Sequence, residues 1–502
     1  MGKKVVILAL ILILGFVLRV YKITSLPMYG DELTLAYDSY SILKTGRDQT
    51  GQFLPLTFAM RGGSPPAYVY FSLPAVFLFG PTALGVRALS LISGLGIIVL
   101  AYYIAKKFFS EKHSLVVAAL TALSPWAINL SRGGFETNFA LFLTMSGLTF
   151  FLYSQKKYLY WIFGTLSFGL AIFTYPTYKL LVPLFVIILI WYLGGRKFFF
   201  SSNSTKYLLA MSLVTGLFAV LFGSQVLFSN SERRFLNTNI FNQDNLRELI
   251  TQKVNSERTL STEGMVSNLF HNKPVEYFVI LRDAYLNHFS LNFLFVKGDG
   301  NPRHNMTETG EFYFADIFLI LISLMVFIGK RAYKKEFKFL IVWILISPVA
   351  SAFLGEIHAL RSSLMFLPIS LISSVGLVYL IEKKGPLSPV GLPLALIFFV
   401  QFIFSLEKLY FISQTKFADF WSGRAKTVVQ MTESVKGKYQ QIFISKRIDN
   451  IEFAYPVYAK IDPNDVIVQY GREVKEFGNV TIIDIEDIDP KSVSENTLVI
   501  PE

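Results

Sequence analysis

Residues 3–32 read KKVVILALILILGFVLRVYKITSLPMYGDE. Two lysines lead an apolar run, Val5–Val20, whose single charge, Arg19, stands near its end. A run of that length matches the roughly 20 apolar residues needed to cross the hydrocarbon of a bilayer. Its outline resembles a signal peptide, but no small-residue cleavage site precedes Tyr21, so it reads as a retained first span with its lysines on the cytoplasmic side. Asp31 and Glu32 then head a long polar stretch. An acid pair there suits the start of a helix, with Asp as N-cap and Glu in the first turn. It equally suits chemistry at a membrane face, one carboxylate taking a proton from an acceptor hydroxyl while its neighbour tunes or orients it.

The rest of the chain makes a membrane protein of this first span. Of 502 residues, 53% are hydrophobic and only 16% charged, against about 25% charged in soluble domains. Mean hydropathy is +0.47. Apolar runs fall near 4–22, 84–105, 113–130, 136–154, 158–175, 177–193, 206–228, 312–329, 337–355, 361–380 and 389–411. That makes about eleven transmembrane helices. Cysteine is absent, which excludes a disulfide framework, a thiolate metal site and a cysteine nucleophile.

The net charge of +12 reports topology. Lysines and arginines of alternate loops, from Lys3 and Lys4 through Lys106, Lys157 and Arg196 to Lys334 and Lys384, supply 17 basic residues against three acids. The remaining charges nearly cancel, so the whole excess lies on one face, as the positive-inside rule requires. Aromatic-interleaved basic patches are missing, which argues against nucleic acid as a partner. With the N-terminus inside, 23–83, 229–311 and the tail from 412 fall outside. Leu33–Leu43 and Ala67–Phe79 read as interfacial helices in the first outer loop. The stretches Ser229–Arg234 and Gly298–Gly310 read as loops. The tail, with β-like runs at Gln441–Ser445, Val480–Ile485 and Leu498–Ile500, reads as a small α/β domain. The division expected is thus 1–411 and 412–502.

Several polar constellations sit at the outer ends of spans. In Ser131-Arg132-Gly133-Gly134-Phe135-Glu136, Arg132 and Glu136 are four residues apart and would share a helical face. They suit a structural ion pair, and a guanidinium also suits two-point contact with phosphate. Thr174-Tyr175-Pro176-Thr177-Tyr178-Lys179 suits an aromatic belt with a snorkelling lysine, or a cation and two tyrosines over a lipid phosphate. Arg87 at the head of the second span, and His358 with Arg361 three residues on, carry the same two readings. Gly298-Asp299-Gly300-Asn301-Pro302-Arg303-His304-Asn305 is a tight loop whose Asp299, Arg303 and His304 either close over a substrate or fasten the loop. Asp299 and His304 are too sparse a set for zinc. No nucleotide-binding loop is present, and Gly94-Leu95-Gly96 lies inside an apolar run with no strand before it.

Gly30-Asp31-Glu32 after the first span, the Pro65-Pro66-Ala67-Tyr68 segment, Arg87 and the loops just quoted resemble, in order, the membrane-embedded GT-C glycosyltransferases. The nearest branch is that of the dolichyl-phosphate-mannose protein mannosyltransferases and the bacterial lipid A aminoarabinose transferase. The likeness runs over residues 1–411. It implies an α-helical polytopic fold and transfer of a hexosyl or pentosyl group from a polyprenyl-phosphate donor to an acceptor hydroxyl. The displacement would be inverting, at the extracytoplasmic face of the plasma membrane. Asp31 would be the base, Glu32 its support and Arg87 a donor contact. Lys179 stands where the family usually has arginine, keeping charge but not two-point geometry. No redox cofactor is implied; a divalent cation near Asp31 is compatible and not required. Nothing matches the extra luminal domain of the protein-mannosylating branch, so glycan, lipid and protein stay open as acceptors. A ligase or polymerase of lipid-linked glycans, and a lipid or solute transporter, are the rival classes. The transporter is disfavoured because the charges cluster at span ends and no inverted halves are visible.

Overall fold

The computed structural model describes residues 2–58, 63–155, 157–199, 205–228, 239–261, 264–329, 333–385, 388–488 and 496–502. The loop expected at Ser229–Arg234, and Lys156, Lys330 and Arg331 of the charge pattern, lie outside them. Every one of the eleven apolar runs is helical. The first nine helices are α1 (Lys3–Val20), α2 (Gly30–Thr45), α3 (Ala67–Phe79), α4 (Ala83–Phe108), α5 (Glu111–Leu123), α6 (Pro125–Arg132), α7 (Glu136–Tyr153), α8 (Leu159–Ile172) and α9 (Tyr178–Leu193). Thr205–Phe228, Phe314–Gly329, Lys334–Ile346, Phe366–Lys384 and Gly391–Glu407 follow as the apolar helices of the second half. Among the described residues four are each long and apolar enough to span alone: Ala83–Phe108, Thr205–Gln225, Ser363–Lys384 and Gly391–Lys416. Side chains such as Leu10, Ile13, Phe77 and Ile92 are exposed, as faces turned to lipid must be. The chain is a multi-pass membrane protein.

The run expected as one span at 113–130 is two helices, α5 and α6, bent by 56°. Proline causes the break. Pro125 has no N–H to give the Thr121 carbonyl one turn back, and the helix restarts with Pro125 in its first turn and Ser124 as N-cap. In hydrocarbon such freed carbonyls must find donors within the protein. Arg19 supplies them: Nη2 donates to Thr121 O at 3.1 Å and Nη1 to Ala122 O at 2.9 Å, while Nε reaches Ser131 Oγ at 3.2 Å. The one charge inside the first apolar run is therefore the cap of a helix broken a hundred residues later. Arg132, at the end of α6, returns the service. It donates to the carbonyls of Arg19, Tyr21 and Lys22 at 2.9, 2.7 and 3.1 Å, closing the C-terminal end of α1.

The run at 337–355 is likewise broken, into Lys334–Ile346 and the short turn Val349–Ala352, with Pro348 between them. The expected face shared by Arg132 and Glu136 does not form, because Gly133 and Gly134 separate α6 from α7.

Near the C-terminus a four-stranded sheet runs in the order β2-β3-β1-β4, from β1 (Gln441–Ser445), β2 (Lys475–Phe477), β3 (Val480–Ile483) and β4 (Thr497–Ile500). β1 pairs in parallel with β3 and β4, and β2 is antiparallel to β3. This tail packs back onto the segment between α1 and α3. Tyr37 donates to Ile461 O at 2.7 Å, Tyr458 accepts from Met28 N at 3.1 Å, and the Trp421 ring meets Tyr29 edge-on at 5.1 Å.

Leaving two buried carbonyls without donors costs about 1–3 kcal/mol each. Arg19→Leu should therefore lower stability by about 2–5 kcal/mol in thermal melts of the detergent-purified protein. Pro125→Ala, which lets α5 donate to Thr121 O, should recover part of that loss in the double variant; strict additivity would refute the capping account.

Candidate functional site

A cavity of about 490 Å³ opens among α2, α3, the Gly134–Thr137 turn, the Tyr175–Leu180 turn and the loops at His304 and His358. Of the residues singled out in the sequence, Asp31, Glu136, Tyr175, Lys179, His304, His358 and Arg361 line it. Glu32, Arg87, Arg132, Tyr178, Asp299 and Arg303 are not among its lining residues.

Consecutive helical residues point about 100° apart, so Asp31 and its neighbour face different surroundings. Glu32 turns inward and is fully buried against Arg87. Arg87 Nε and Nη2 meet Glu32 Oε1 and Oε2 at 2.7 and 2.6 Å, a two-point pair. Nη1 donates to Ile23 O and Leu26 O, and Nη2 also to Pro27 O. All five guanidinium hydrogens are thus used. This corrects the expectation of a donor contact: Arg87 has no hydrogen left for a phosphate, and instead holds the chain between α1 and α2. Glu32 Oε1 further accepts the Gly134 amide at 2.6 Å. Glycine lets the amide come this close, since a Cβ would stand 3.1 Å from Glu32 Cγ and press the carboxylate aside by a few tenths of an ångström.

Arg132 is corrected for a different reason: it is not among the cavity-lining residues, and its Nη groups donate to carbonyls at the end of α1. Tyr178 is buried, its hydroxyl 3.0 Å from Ser363 Oγ. Arg303 donates to Phe420 O at 2.6 Å and lies over the Tyr29 ring at 5.5 Å, fastening its loop to the tail. His358 and Arg361 sit in a turn before the helix at Phe366, not on a helical face, yet both reach the cavity. Arg361 pairs with Glu356 at 2.6 Å, and Lys179 Nζ lies 5.5 Å from the Phe222 ring.

Asp299 meets His304 and His358 in a cluster whose ligand atoms all fall within 4.8 Å of one another. Asp299 Oδ2 accepts from Ala359 N at 2.7 Å and pairs with His304 Nδ1 at 2.9 Å. Burial works to raise Asp299, but the hydrogen bond and charge of His304 with the Ala359 and Asn301 amides bring it below the usual carboxylate range. His358 Nδ1 is 3.9 Å from the same oxygen, too far for a hydrogen bond, and is buried with no partner among the described residues. Burial, followed by neighbouring His304, Arg361 and His288, holds His358 well below the ordinary histidine range, so it is neutral. A carboxylate and two imidazoles with an open fourth position form a donor set that fits zinc or a similar divalent ion. The set fits where sequence reasoning set zinc aside, because its third member comes from a separate loop. Asp31 does not belong to it.

Among the polar lining residues outside the motifs read from the sequence are Thr34, Asp38 and Thr57. For Asp38 a signal existed, since it lies two helical turns beyond Asp31.

Comparison with known proteins agrees with this architecture. The family model described as dolichyl-phosphate-mannose-protein mannosyltransferase matches residues 63–222. Comparison with curated proteins gives no match. Among solved structures, ArnT from Cupriavidus metallidurans bound to undecaprenyl phosphate is similar over 96% of this chain and 89% of its own, at 12% identity and TM-score 0.53. The oligosaccharyltransferase AglB from Archaeoglobus fulgidus, in complex with an inhibitory peptide and a dolichol-phosphate, is similar over 90% of this chain at 13% identity and TM-score 0.51. The chain covers 63% of that protein's length. A further structure of the Archaeoglobus fulgidus oligosaccharyltransferase, a complex with Zn and sulfate, matches at 13% identity and TM-score 0.50, over 89% of this chain and 61% of its own. The fold is that of the GT-C glycosyltransferases.

Removing one partner of a buried ion pair strands the other and costs about 3–5 kcal/mol. Glu32→Gln and Arg87→Met should each lower stability on that scale, and the double variant should be more stable than the sum of the two losses implies. Melting curves of the four proteins decide it; single variants that melt with the wild type would refute the constraint.

Proposed function

We propose that the chain is a glycosyltransferase that moves a hexosyl or pentosyl group from a polyprenyl-phosphate donor to an acceptor hydroxyl. We place the reaction at the extracytoplasmic face of the plasma membrane and assign it inversion at the sugar carbon. The acceptor would be a glycan, lipid or protein. The observation that carries this reading is that Asp31, Lys179 and Arg361 line one cavity in a GT-C fold. The positive-inside charge pattern supports the orientation. In this reading residues 1–411 carry the reaction, and 412–502 form a wall that braces the Asp31 segment from outside.

The acceptor oxygen attacks the anomeric carbon of the donor. The carbon–oxygen bond to phosphate breaks, its electron pair stays on the phosphate, and the acceptor proton passes to Asp31. The leaving phosphate gains a unit of negative charge, which Lys179 and Arg361 stabilise from fixed positions; such preorganised fields are commonly the largest catalytic term. Glu32 and Arg87 act as positioning residues, since their pair sets the direction in which α2 presents Asp31. A divalent cation held by Asp299, His304 and His358 would supply a further positive charge beside the departing phosphate.

Asp31→Asn should lower turnover by about 10²–10⁴-fold, the usual worth of a general base, while leaving the melting temperature unchanged. Purified protein offered a panel of undecaprenyl-phosphate sugars in liposomes, with donor loss read by mass spectrometry, checks both points. Wild-type consumption of none of them would overturn the reading, and an active Asp31→Asn would remove Asp31 from it. For the cation, the chelated protein should take up about one equivalent of Zn²⁺ by calorimetry, and His358→Ala should weaken it at least about tenfold. Unchanged uptake would displace the ion from this cluster.

A further inference from the structure

Asp31, Thr34, Leu35 and Asp38 all line the cavity. Their spacing places them on one face of α2, with Asp38 about 10.5 Å beyond Asp31 at 1.5 Å per residue. That span is comparable to a disaccharide laid along the helix. Asp38 is 2% exposed and no cation pairs with it among the described residues. Its Oδ1 accepts the Gln49 amide at 3.2 Å, and Gln49 Nε2 reaches back to Thr34 O at 3.3 Å, so the carboxyl is held in place by the loop after α2. Tyr70 donates to Pro55 O at 2.9 Å and so fastens the 55–58 segment, whose Thr57 lines the same cavity as Asp38.

Thr57 Oγ1 and Thr177 Oγ1 belong to cavity-lining residues, are buried, and have no hydrogen-bond partner among the described residues. Buried hydroxyls without partners are costly and uncommon. Two of them in one cavity, with a carboxyl that pairs with no cation among the described residues, suit a ligand that brings its own hydroxyls. Hydrocarbon would leave all three unsatisfied.

We propose that Asp38, with Thr57 and Thr177, binds ring hydroxyls of a sugar in this cavity and determines which sugar is accepted. The inference rests on the transferase reading above and assigns to it a specificity-determining residue distinct from Asp31. Burial, opposed by the Gln49 hydrogen bonds and aided by the nearby Asp48 charge, pushes the Asp38 carboxyl up to about 8. At neutral pH it is protonated, able both to donate to a ring oxygen and to accept from a hydroxyl, and it adds no charge near the phosphate. The ring is either that of the donor or that of a carbohydrate acceptor; the chemistry is shared and the experiment separates them.

The test uses full-length protein in liposomes with the undecaprenyl-phosphate sugars that the wild type consumes. Asp38→Ala should raise KM for the sugar-bearing donor about tenfold or more with kcat less affected, while inhibition by plain undecaprenyl phosphate stays as in the wild type. That result places the ring on the donor. A raised KM for the acceptor alone places it on the acceptor. Asp38→Asn, which keeps a neutral group that donates and accepts, should lie near the wild type and change the ranking of epimeric donors; it also serves if the alanine variant fails to fold. KM values and epimer ranking unchanged in a folded variant overturn the inference. A wild type that uses no donor overturns the transferase reading itself, and this inference falls with it.

Discussion

The buried pair of Glu32 and Arg87 is the constraint on which the site depends. It joins α2 to α4, and through three carbonyls it fixes the linker from Ile23 to Pro27 that carries the chain from the first span to the acid pair. Because Glu32 must face Arg87, the next-door Asp31 must face elsewhere, and the cavity is what lies there. The pair is expensive to desolvate and is compensated by full hydrogen bonding of both partners, including the Gly134 amide on Glu32. Stability is a poor reason to keep such an arrangement. Direction is a better one: a carboxylate that has to meet a reacting hydroxyl needs its backbone held to a fraction of an ångström.

The cations around the site divide into two kinds. Arg19, Arg87 and Arg132 are buried and donate to helix-end and linker carbonyls, Arg87 also to Glu32. Lys179 and Arg361 line the cavity. The first kind exists because the second needs somewhere to stand. A cavity at the edge of a bilayer has to be built from interrupted helices, and each interruption frees backbone groups that lipid cannot satisfy. Arginine, with several donors on a rigid fork, closes several such carbonyls at once.

Much of this was legible from the residues, and the limits have physical causes. The eleven apolar runs mark helices because hydrocarbon leaves the backbone no other choice, and Gln441–Ser445 reads as a strand from its short β-branched and aromatic apolar run. Lys475–Phe477 does not, being a polar edge strand of three residues. Pro125 carries the information that 113–130 is broken, which the length of the apolar run masks, and Gly133-Gly134 that Arg132 and Glu136, which would share a face only if helical, stand on separate helices. Asp31 was legible as a candidate, but its contrast with Glu32 was not, since only the partner on a distant helix decides which acid turns inward. The same holds for His358, whose relation to Asp299 and His304 exists only once two loops are folded against each other.

Arg19 shows how far such distant relations extend. In the sequence it is an anomaly, one charge inside a run otherwise fit for lipid, and charges in such places are read by default as functional. Its partners lie on α5, at a proline break with no local connection to the first span. The break turns α6 so that the Gly133-Gly134 turn beyond it meets Glu32, and α6 ends in Arg132, which closes the helix that carries Arg19. Each element of this circuit covers a polar group that another exposes. Asp31 is thus positioned by residues that are not among those lining the cavity, so sequence changes at Arg19, Arg132 or Pro125 reach its carboxyl through the backbone.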